Sequence, residues 1–442
     1  MLLSTRKSIF ITRYIQPLDF SLVTMETPES PMTSSAGSEV LRDENNFIQN
    51  VSQFFNTQAL SDVTLKIADQ RYYAHKFVLA KSSDVFRTML YERPWAQSLD
   101  DDEVELNESI ECQSVFDKFL RYLYTAEVSI NSQTCVGILC LADKYNVGSL
   151  KELCQAYMVE NTKSPKIKNA LLWYSWGKAL HLEPLIERCS ETIAWNAHEI
   201  ITSPHWLNMD LDFVADMLQK SELVVPNEWV VLEATTRWLL HESHVGNLLE
   251  NSENLLPYVR LPQMSIAQLY RLENSELSEH LESSSLIKDL LGKAFRFRAL
   301  CPSQHALGVS FNEPFYQPRD YMDLTVDNVR MQNTLRFGIQ VDVKMFTGPV
   351  PGEIRDADWK LTYRKNGEIW SLQIYAHETA MVNNEARFET SVVIFDELDK
   401  VIQVERQPVT SVTRGNSQNI QVTIKSPETS KNMAVLLKTV AS

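Results

Sequence analysis

Residues 60–90 read LSDVTLKIADQRYYAHKFVLAKSSDVFRTML, and their pattern decides the N-terminal fold. Val63, Leu65 and Ile67 alternate with polar residues, the period of a half-buried strand. Ala68-Asp69-Gln70 offers a turn, and Tyr72 and Ala74 continue at the same period, so the stretch predicts a β-hairpin. From His75 the pattern becomes helical, with Phe77, Val78, Leu79 and Ala80. Ser82-Ser83-Asp84 supplies a cap for a second helix carrying Val85, Phe86, Met89 and Leu90. Nothing in the stretch sets a nucleophile beside a base, so it reads as an interaction scaffold.

Working outward, residues 1–38 are expected to be a disordered leader. Arg13 interrupts the apolar cluster Ile9-Phe10-Ile11, which argues against a secretory signal. Glu26 to Ser38 has the Pro, Ser and Thr content of a linker. From Glu39 to Gln58 the spacing predicts a helix: Phe47, Val51, Phe54 and Phe55 fall at i, i+4, i+7 and i+8 and make one apolar stripe. Beyond Leu90, the acidic run Asp100 to Glu103 lacks the spaced ligands of a calcium loop and leads into a short strand, Val104 to Leu106. Helices are expected from Val115 to Leu123, from Thr134 to Tyr145, and from Ser149, as N-cap, to Glu160.

The blocks S-D-V-x-L, A-H-K-x-V-L-A-x-S-S and F-x-x-M-L, then F-L-R-Y-L-Y-T-A-E-V and L-A-D-K-Y-N-V-G-S-L-K-E-L-C, resemble a BTB/POZ domain over residues 39–160. The resemblance implies an α/β domain that forms a homodimer. Its first helix would cross to a second subunit, making Phe47, Val51, Phe54 and Phe55 the dimer interface and leaving His75 structural. It also raises cullin-3 as a partner. The hydrophobic-x-Glu motif of cullin-binding members would fall at Trp95-Ala96-Gln97, so Trp95 and Gln97 are the contact residues, with an amide replacing the carboxylate. Leu90-Tyr91-Glu92 fits by letters, but it lies where the preceding helix should still continue.

Residues 161–303 read as helices punctuated by Pro165, Pro184, Pro204, Pro226, Pro257 and Pro262. Leu171, Leu172, Tyr174, Trp176, Ala179 and Leu180 give the first apolar face. The run E-W-V-V-L-E-A-T-T-R-W-L-L, residues 228–240, resembles the signature helix of the all-α BACK domain that follows BTB in many adaptors. After Cys301-Pro302 the period becomes two. Strands are expected at 324–326, 335–343, 359–363, 370–375, 388–395, 401–404, 420–424 and 434–437, with a hairpin at Asn366-Gly367. Residues 304–442 therefore predict an all-β antiparallel sandwich with one face of each sheet free. The order BTB, BACK, sandwich resembles members with a TRAF-like C-terminal domain. The fold class is thus multidomain: α/β, then all-α, then all-β.

A formal net charge of −15 excludes nucleic acid and anionic membranes as the main partner. No stretch reads as a membrane span. With 12 glycines there is no phosphate-binding loop, dinucleotide fingerprint or G-x-S-x-G elbow. His241 and His244 end a helix without further ligands, and Cys135 and Cys140 point too far apart around one helix for a bridge. No cofactor, metal or enzymatic activity is expected. Six cysteines without a C-x-x-C pair read as buried reduced thiols, which favours the cytoplasm. Sequons at Asn50 and Asn107 point the other way, toward a secreted BTB–BACK glycoprotein scaffold, although Asn50 is expected in a packed helix. The leading reading is a non-catalytic adaptor, with clients bound by the sandwich and a ubiquitin ligase as the machine served.

Overall fold

In the computed structural model, which describes residues 43–92, 103–162, 167–301, 307–331, 339–345 and 355–440, the hairpin forms where the alternation places it. β1 (Val63–Ile67) and β2 (Gln70–Ala74) pair antiparallel, closed by a two-residue loop whose Ala68 takes a φ of 48°. β3 (Glu103–Leu106) adds to β1 in parallel. Around this sheet lie α1 (Glu44–Ser52), α2 (Lys76–Ser82), α3 (Asp84–Tyr91), α4 (Ile110–Gln113), α5 (Phe116–Thr125), α6 (Cys135–Lys144) and α7 (Gly148–Asn161). The expected cap of α3 is real, because the Ser83 hydroxyl accepts the Phe86 amide N–H. At α7 the expectation fails: Val147 is the cap, and Ser149 sits inside the helix, accepting the Tyr122 hydroxyl at 3.0 Å. The leader and the first residues of the expected 39–58 helix lie outside the described residues.

The middle of the chain is helical: α8 (Ile167–Ala179), α9 (Glu183–Trp195), α10 (Ala197–Thr202), α11 (Leu211–Gln219), α12 (Glu228–Leu239), α13 (Leu248–Leu255), α14 (Ile266–Glu273), α15 (Glu276–His280) and α16 (Leu286–Leu300). Pro184 occupies the first turn of α9, where its missing N–H costs nothing, and Pro204 opens a 3-10 turn. α8 buries Ala170, Trp173, Tyr174 and Gly177, whereas Leu172 and Ala179, expected on its apolar face, are exposed. Trp173, Trp206 and Trp238 are buried, and Trp176, Trp195 and Trp229 pack partly buried against the core. One element was not foreseen: β4 (Val224–Val225) pairs in parallel with β5 (Asp320–Tyr321).

All eight expected strands appear at the C-terminus, as β6 (Thr325–Arg330), β7 (Ile339–Met345), β8 (Ala357–Asn366), β9 (Ile369–Ala376), β10 (Glu385–Phe395), β11 (Val401–Thr413), β12 (Gln418–Thr423) and β13 (Asn432–Thr439), although the first part of the second, 335–338, lies outside the described residues. They form two four-stranded antiparallel sheets, ordered β11-β10-β13-β6 and β12-β9-β8-β7. The sheets share a core in which Trp359 meets Phe388 edge to face at 4.9 Å. The hairpin is shifted by one residue from the expected register. Asn366 still pairs with Ile369, so Gly367 and Glu368 are central and only Gly367 has positive φ, at 62°. Glycine first is the arrangement of a type II′ turn.

The expectation that one face of each sheet is free holds, among the described residues, for the second sheet and fails for the first. Val393, Val401, Ala434 and Leu436 point away from the sandwich core and are buried with Val224, against Trp195 and Met322. The physical reason is visible in β10 and β13, where V-V-I and M-A-V-L-L run continuously instead of alternating. A strand buried on both faces reads that way.

Candidate interaction surfaces

The first surface surrounds His75. Asp43 caps α1, its carboxylate accepting the Asn46 amide, and the helix stops at Ser52; Asn56, at a φ of 49°, then turns the chain. That stop divides the expected apolar stripe. Val51 and Phe55 turn inward, and Phe55 packs edge-on against Tyr124 at 5.9 Å beneath the Arg121 guanidinium. Phe47 and Phe54 stay exposed, at 68% and 37%. Phe54 lies edge-on to His75 at 5.8 Å. His75 itself is structural, as expected: it caps α2, meets the Tyr124 hydroxyl through Nδ1 at 2.8 Å, and reaches the Ala59 carbonyl through Nε2 at 3.2 Å. Burial pushes the Tyr124 phenol up to about 12, against the lowering effect of the His75 amide N–H.

Two further apolar residues join this surface. Phe77 is 73% exposed because α2 buries only Leu79 and Ala80. Leu60 is 79% exposed and takes a φ of 59°. A branched aliphatic residue in the left-handed region is strained and tends to persist where a function holds it. Sequence reasoning missed both; a helical wheel of α2 would have set Phe77 opposite Leu79. Phe54 thus lies against His75, and Leu60, Phe77 and Phe47, on neighbouring parts of the chain, are exposed as well.

The expected cullin contact residues Trp95 and Gln97 lie outside the described residues. The flanking geometry is clear: α3 runs through Tyr91 and caps at Glu92, so Leu90-Tyr91-Glu92 belongs to a helix end rather than a loop.

The second surface is the outer face of the β12-β9-β8-β7 sheet. Trp359, Leu361 and Tyr363 of β8 and Trp370, Leu372 and Ile374 of β9 point into the sandwich. The intervening positions therefore face outward. Thr362 and Tyr375 both donate to Gln373 Oε1 at 3.2 Å, Lys360 Nζ lies 5.5 Å above the Tyr375 ring, and Lys344 pairs with Asp358 at 3.1 Å. The face is partly exposed and carries hydroxyl, amide and charged groups, with Ile369 at its end. Its edges are β7 and β12.

For chemistry the described residues offer little. No group of three or more His, Cys, Asp or Glu among them is arranged to hold a metal ion. His244 stacks on Trp238 at 3.8 Å and reaches the Leu207 carbonyl, so it is packed rather than presented. All six cysteines are free. Burial pushes Cys154 and Cys189 up to about 12 and Cys135 and Cys301 up to about 11. Cys112, also buried, donates to the Gly137 carbonyl at 3.7 Å. Asn50 is exposed, not packed as expected, and so is Asn107. No helix among the described residues is long and apolar enough to cross a membrane.

Against family models, residues 51–162 match the BTB/POZ domain, and residues 170–274 match the model described as BTB And C-terminal Kelch. BTB/POZ domain-containing protein 17 of Xenopus laevis is 26% identical over 316 residues, covering 70% of this chain and 64% of that protein. Galectin-3-binding protein of Mus musculus is 26% identical over 294 residues, covering 65% of this chain and 49% of that protein. The chain thus spans less than two thirds of the length of these relatives. The solved BTB (Tramtrack and Bric a brac) domain of human Gigaxonin aligns with 27% of this chain and 98% of its own, at 22% identity and a TM-score of 0.23.

Proposed function

Since the chain belongs to the BTB–BACK proteins, with a BTB/POZ domain followed by a BACK domain, we propose that it is a dimeric, non-catalytic adaptor whose C-terminal sandwich holds a protein client. In this reading residues 39–160 dimerise, residues 161–303 connect, and residues 304–442, TRAF-like, recognise. The observation that supports it most is the exposure of Phe47, Phe54, Leu60 and Phe77, large apolar side chains that nothing described in the chain covers. Burying each such side chain contributes roughly 1.5–3 kcal/mol. A second copy of the same surface is its natural cover, because a twofold interface is self-complementary.

The machine served is a cullin-3 ubiquitin ligase, with Trp95 as the apolar anchor and Gln97 in place of the motif carboxylate. A charge-assisted hydrogen bond is about twice as strong as a neutral one, so this contact is weaker than in an intact motif. Calorimetry of the full chain against the cullin-3 N-terminal domain tests it. Sub-micromolar affinity lost on Trp95→Ala supports the reading, and no heat at tens of micromolar removes cullin-3 from it.

Clients bind the outer face of the second sheet, through Lys360, Gln373 and Tyr375. Substitution is the right probe here, because deleting residues 304–442 would expose Val224 and Trp195 as well. Proximity labelling in cells should lose most partners on Lys360→Glu with Tyr375→Ala; an unchanged partner list counts against the reading. The protein works in the cytoplasm. Exposed Asn50 and Asn107 favour one alternative, a secreted glycoprotein scaffold like the galectin-3-binding relative, and a mass shift on glycosidase treatment would select it.

A further inference from the structure

The connection between the helical region and the sandwich is docked at Phe311 and from Phe315 to Tyr321. Phe311 and Tyr316 pack with Phe297 of α16, at 5.1 and 5.3 Å. The Tyr316 carbonyl accepts the Gln263 amide at 2.7 Å, and the Gln317 carbonyl accepts the Arg260 guanidinium at 2.9 Å. Then come Arg319, Asp320 and Tyr321, all buried. Asp320 and Tyr321 form β5 against Val224 and Val225 of β4, so consecutive side chains leave the strand in opposite directions.

Arg319 and Tyr321 point into the helices and share one acceptor. The Glu228 carboxylate takes Arg319 Nε at 3.0 Å and the Tyr321 hydroxyl at 2.6 Å, and also accepts the Arg260 amide at 2.8 Å. The rest of the Arg319 fork donates to the carbonyls of Leu218, Lys220 and Tyr258. Burial, with Arg319 close by, lowers Arg260 to about 10. Asp320 points the other way, into the first sheet, and accepts Ser391 Oγ at 2.7 Å, Lys438 Nζ at 2.6 Å and Arg406 Nε at 2.8 Å. Arg406 returns to the helices through Glu222 at 3.4 Å. Beside this, the Asn196 side chain bonds both the N–H and the C=O of Val401, at 3.0 and 3.1 Å, and Lys400 pairs with Glu199.

Glu228, Asp320, Glu222 and Glu389 thus face Arg319, Arg260, Arg406 and Lys438, four acids against four bases, around the apolar seam of Val224, Val393, Val401 and Leu436. A buried charge with a complete set of partners tolerates one arrangement and penalises others. We propose that the helical region and the sandwich form one rigid body keyed by Arg319-Asp320-Tyr321, so that the outer face of the second sheet keeps a fixed position relative to the helices. The consequence for a client, held at a set place and not on a swinging arm, rests on the function proposed above; the lock itself does not.

The test uses the full chain with a protease site substituted at residues 302–306 and cut after purification. The two pieces should remain together on size exclusion at micromolar concentration, and should separate when the nicked chain also carries Glu228→Ala and Asp320→Ala. Wild-type pieces that separate overturn the proposal, and so do variant pieces that stay together. Spin labels at Leu172→Cys and Ile369→Cys, with Cys140→Ser, give an independent readout in the uncut chain. One narrow distance distribution is expected, and a broad one overturns the proposal. Neither readout involves a client, so a failed client assay would leave the lock standing.

Discussion

Replacing Asp320 by Asn keeps the shape of the side chain and removes its charge, at a position with no exposed side-chain surface. Lys438, itself 3% exposed, would retain only Glu389, at 2.7 Å, and Arg406 would retain Glu222. Breaking a buried ion pair by removing one partner costs about 3–5 kcal/mol. Because both cations keep a second acid, the lower end applies, about 3 kcal/mol, a large share of the roughly 5–15 kcal/mol of a typical domain. The control is Lys400→Ala, which breaks a partly exposed pair across the same junction and should cost about 0.2–1 kcal/mol. Urea titration followed by tryptophan fluorescence measures both. Acid adds a second signature. Burial raises the Asp320 carboxyl, but Lys438 and Arg406 more than offset it and hold the group below its ordinary value. Its contribution is therefore complete above the unfolded value of about 3.9 and is lost as pH falls through the lower folded value. The Asn variant should show a flatter decline in that acid window. A variant no less stable than Lys400→Ala, or one with the wild-type acid profile, refutes the reasoning.

Other outcomes follow from single positions. Gly137→Ala should destabilise by about 1–3 kcal/mol, measured by thermal melting, because its Cβ would lie 2.5 Å from the Glu111 carbonyl oxygen where α4 meets α6. Ala126 ends α5 in the left-handed region at a φ of 55°, so Ala126→Gly should stabilise by about 0.5–1 kcal/mol and raise the melting temperature. In iodoacetamide labelling, Cys154 and Cys189, buried and pushed up to about 12, should stay unmodified in the native chain and react only once it is unfolded in urea. Mass spectrometry reads the labelling, and modification of Cys154 in the native chain contradicts it.

Local signals carried much of this fold. The hairpin at residues 63–74, the Ser83 cap and the eight C-terminal strands came from period and cap chemistry, which depend only on neighbours in the chain. Long-range partners decided what was missed. Arg319, Asp320 and Tyr321 look like an ordinary loop in sequence, because Glu228 lies 91 residues from Arg319 and Ser391 lies 71 from Asp320. The same limit affected the first surface: helical spacing put Phe47, Val51, Phe54 and Phe55 on one stripe, whereas the turn at Asn56 sends Phe55 to Tyr124 and leaves Phe54 outside. The covered face of the first sheet was legible in the unbroken V-V-I of β10, a signal that alternation elsewhere in the sandwich obscured.

The central claim, that this chain works as a dimer through the surface around His75, is tested most directly by light scattering of the full chain at micromolar concentration, wild type beside Val51→Asp with Phe54→Asp. The account predicts twice the chain mass for the wild type, and for the variant a single-chain mass or insoluble protein. Phe77→Asp, which leaves the core untouched because Phe77 is exposed, should give a soluble single chain. A wild type that scatters as one chain, or a Phe77→Asp variant that remains a dimer of undiminished affinity, would contradict it.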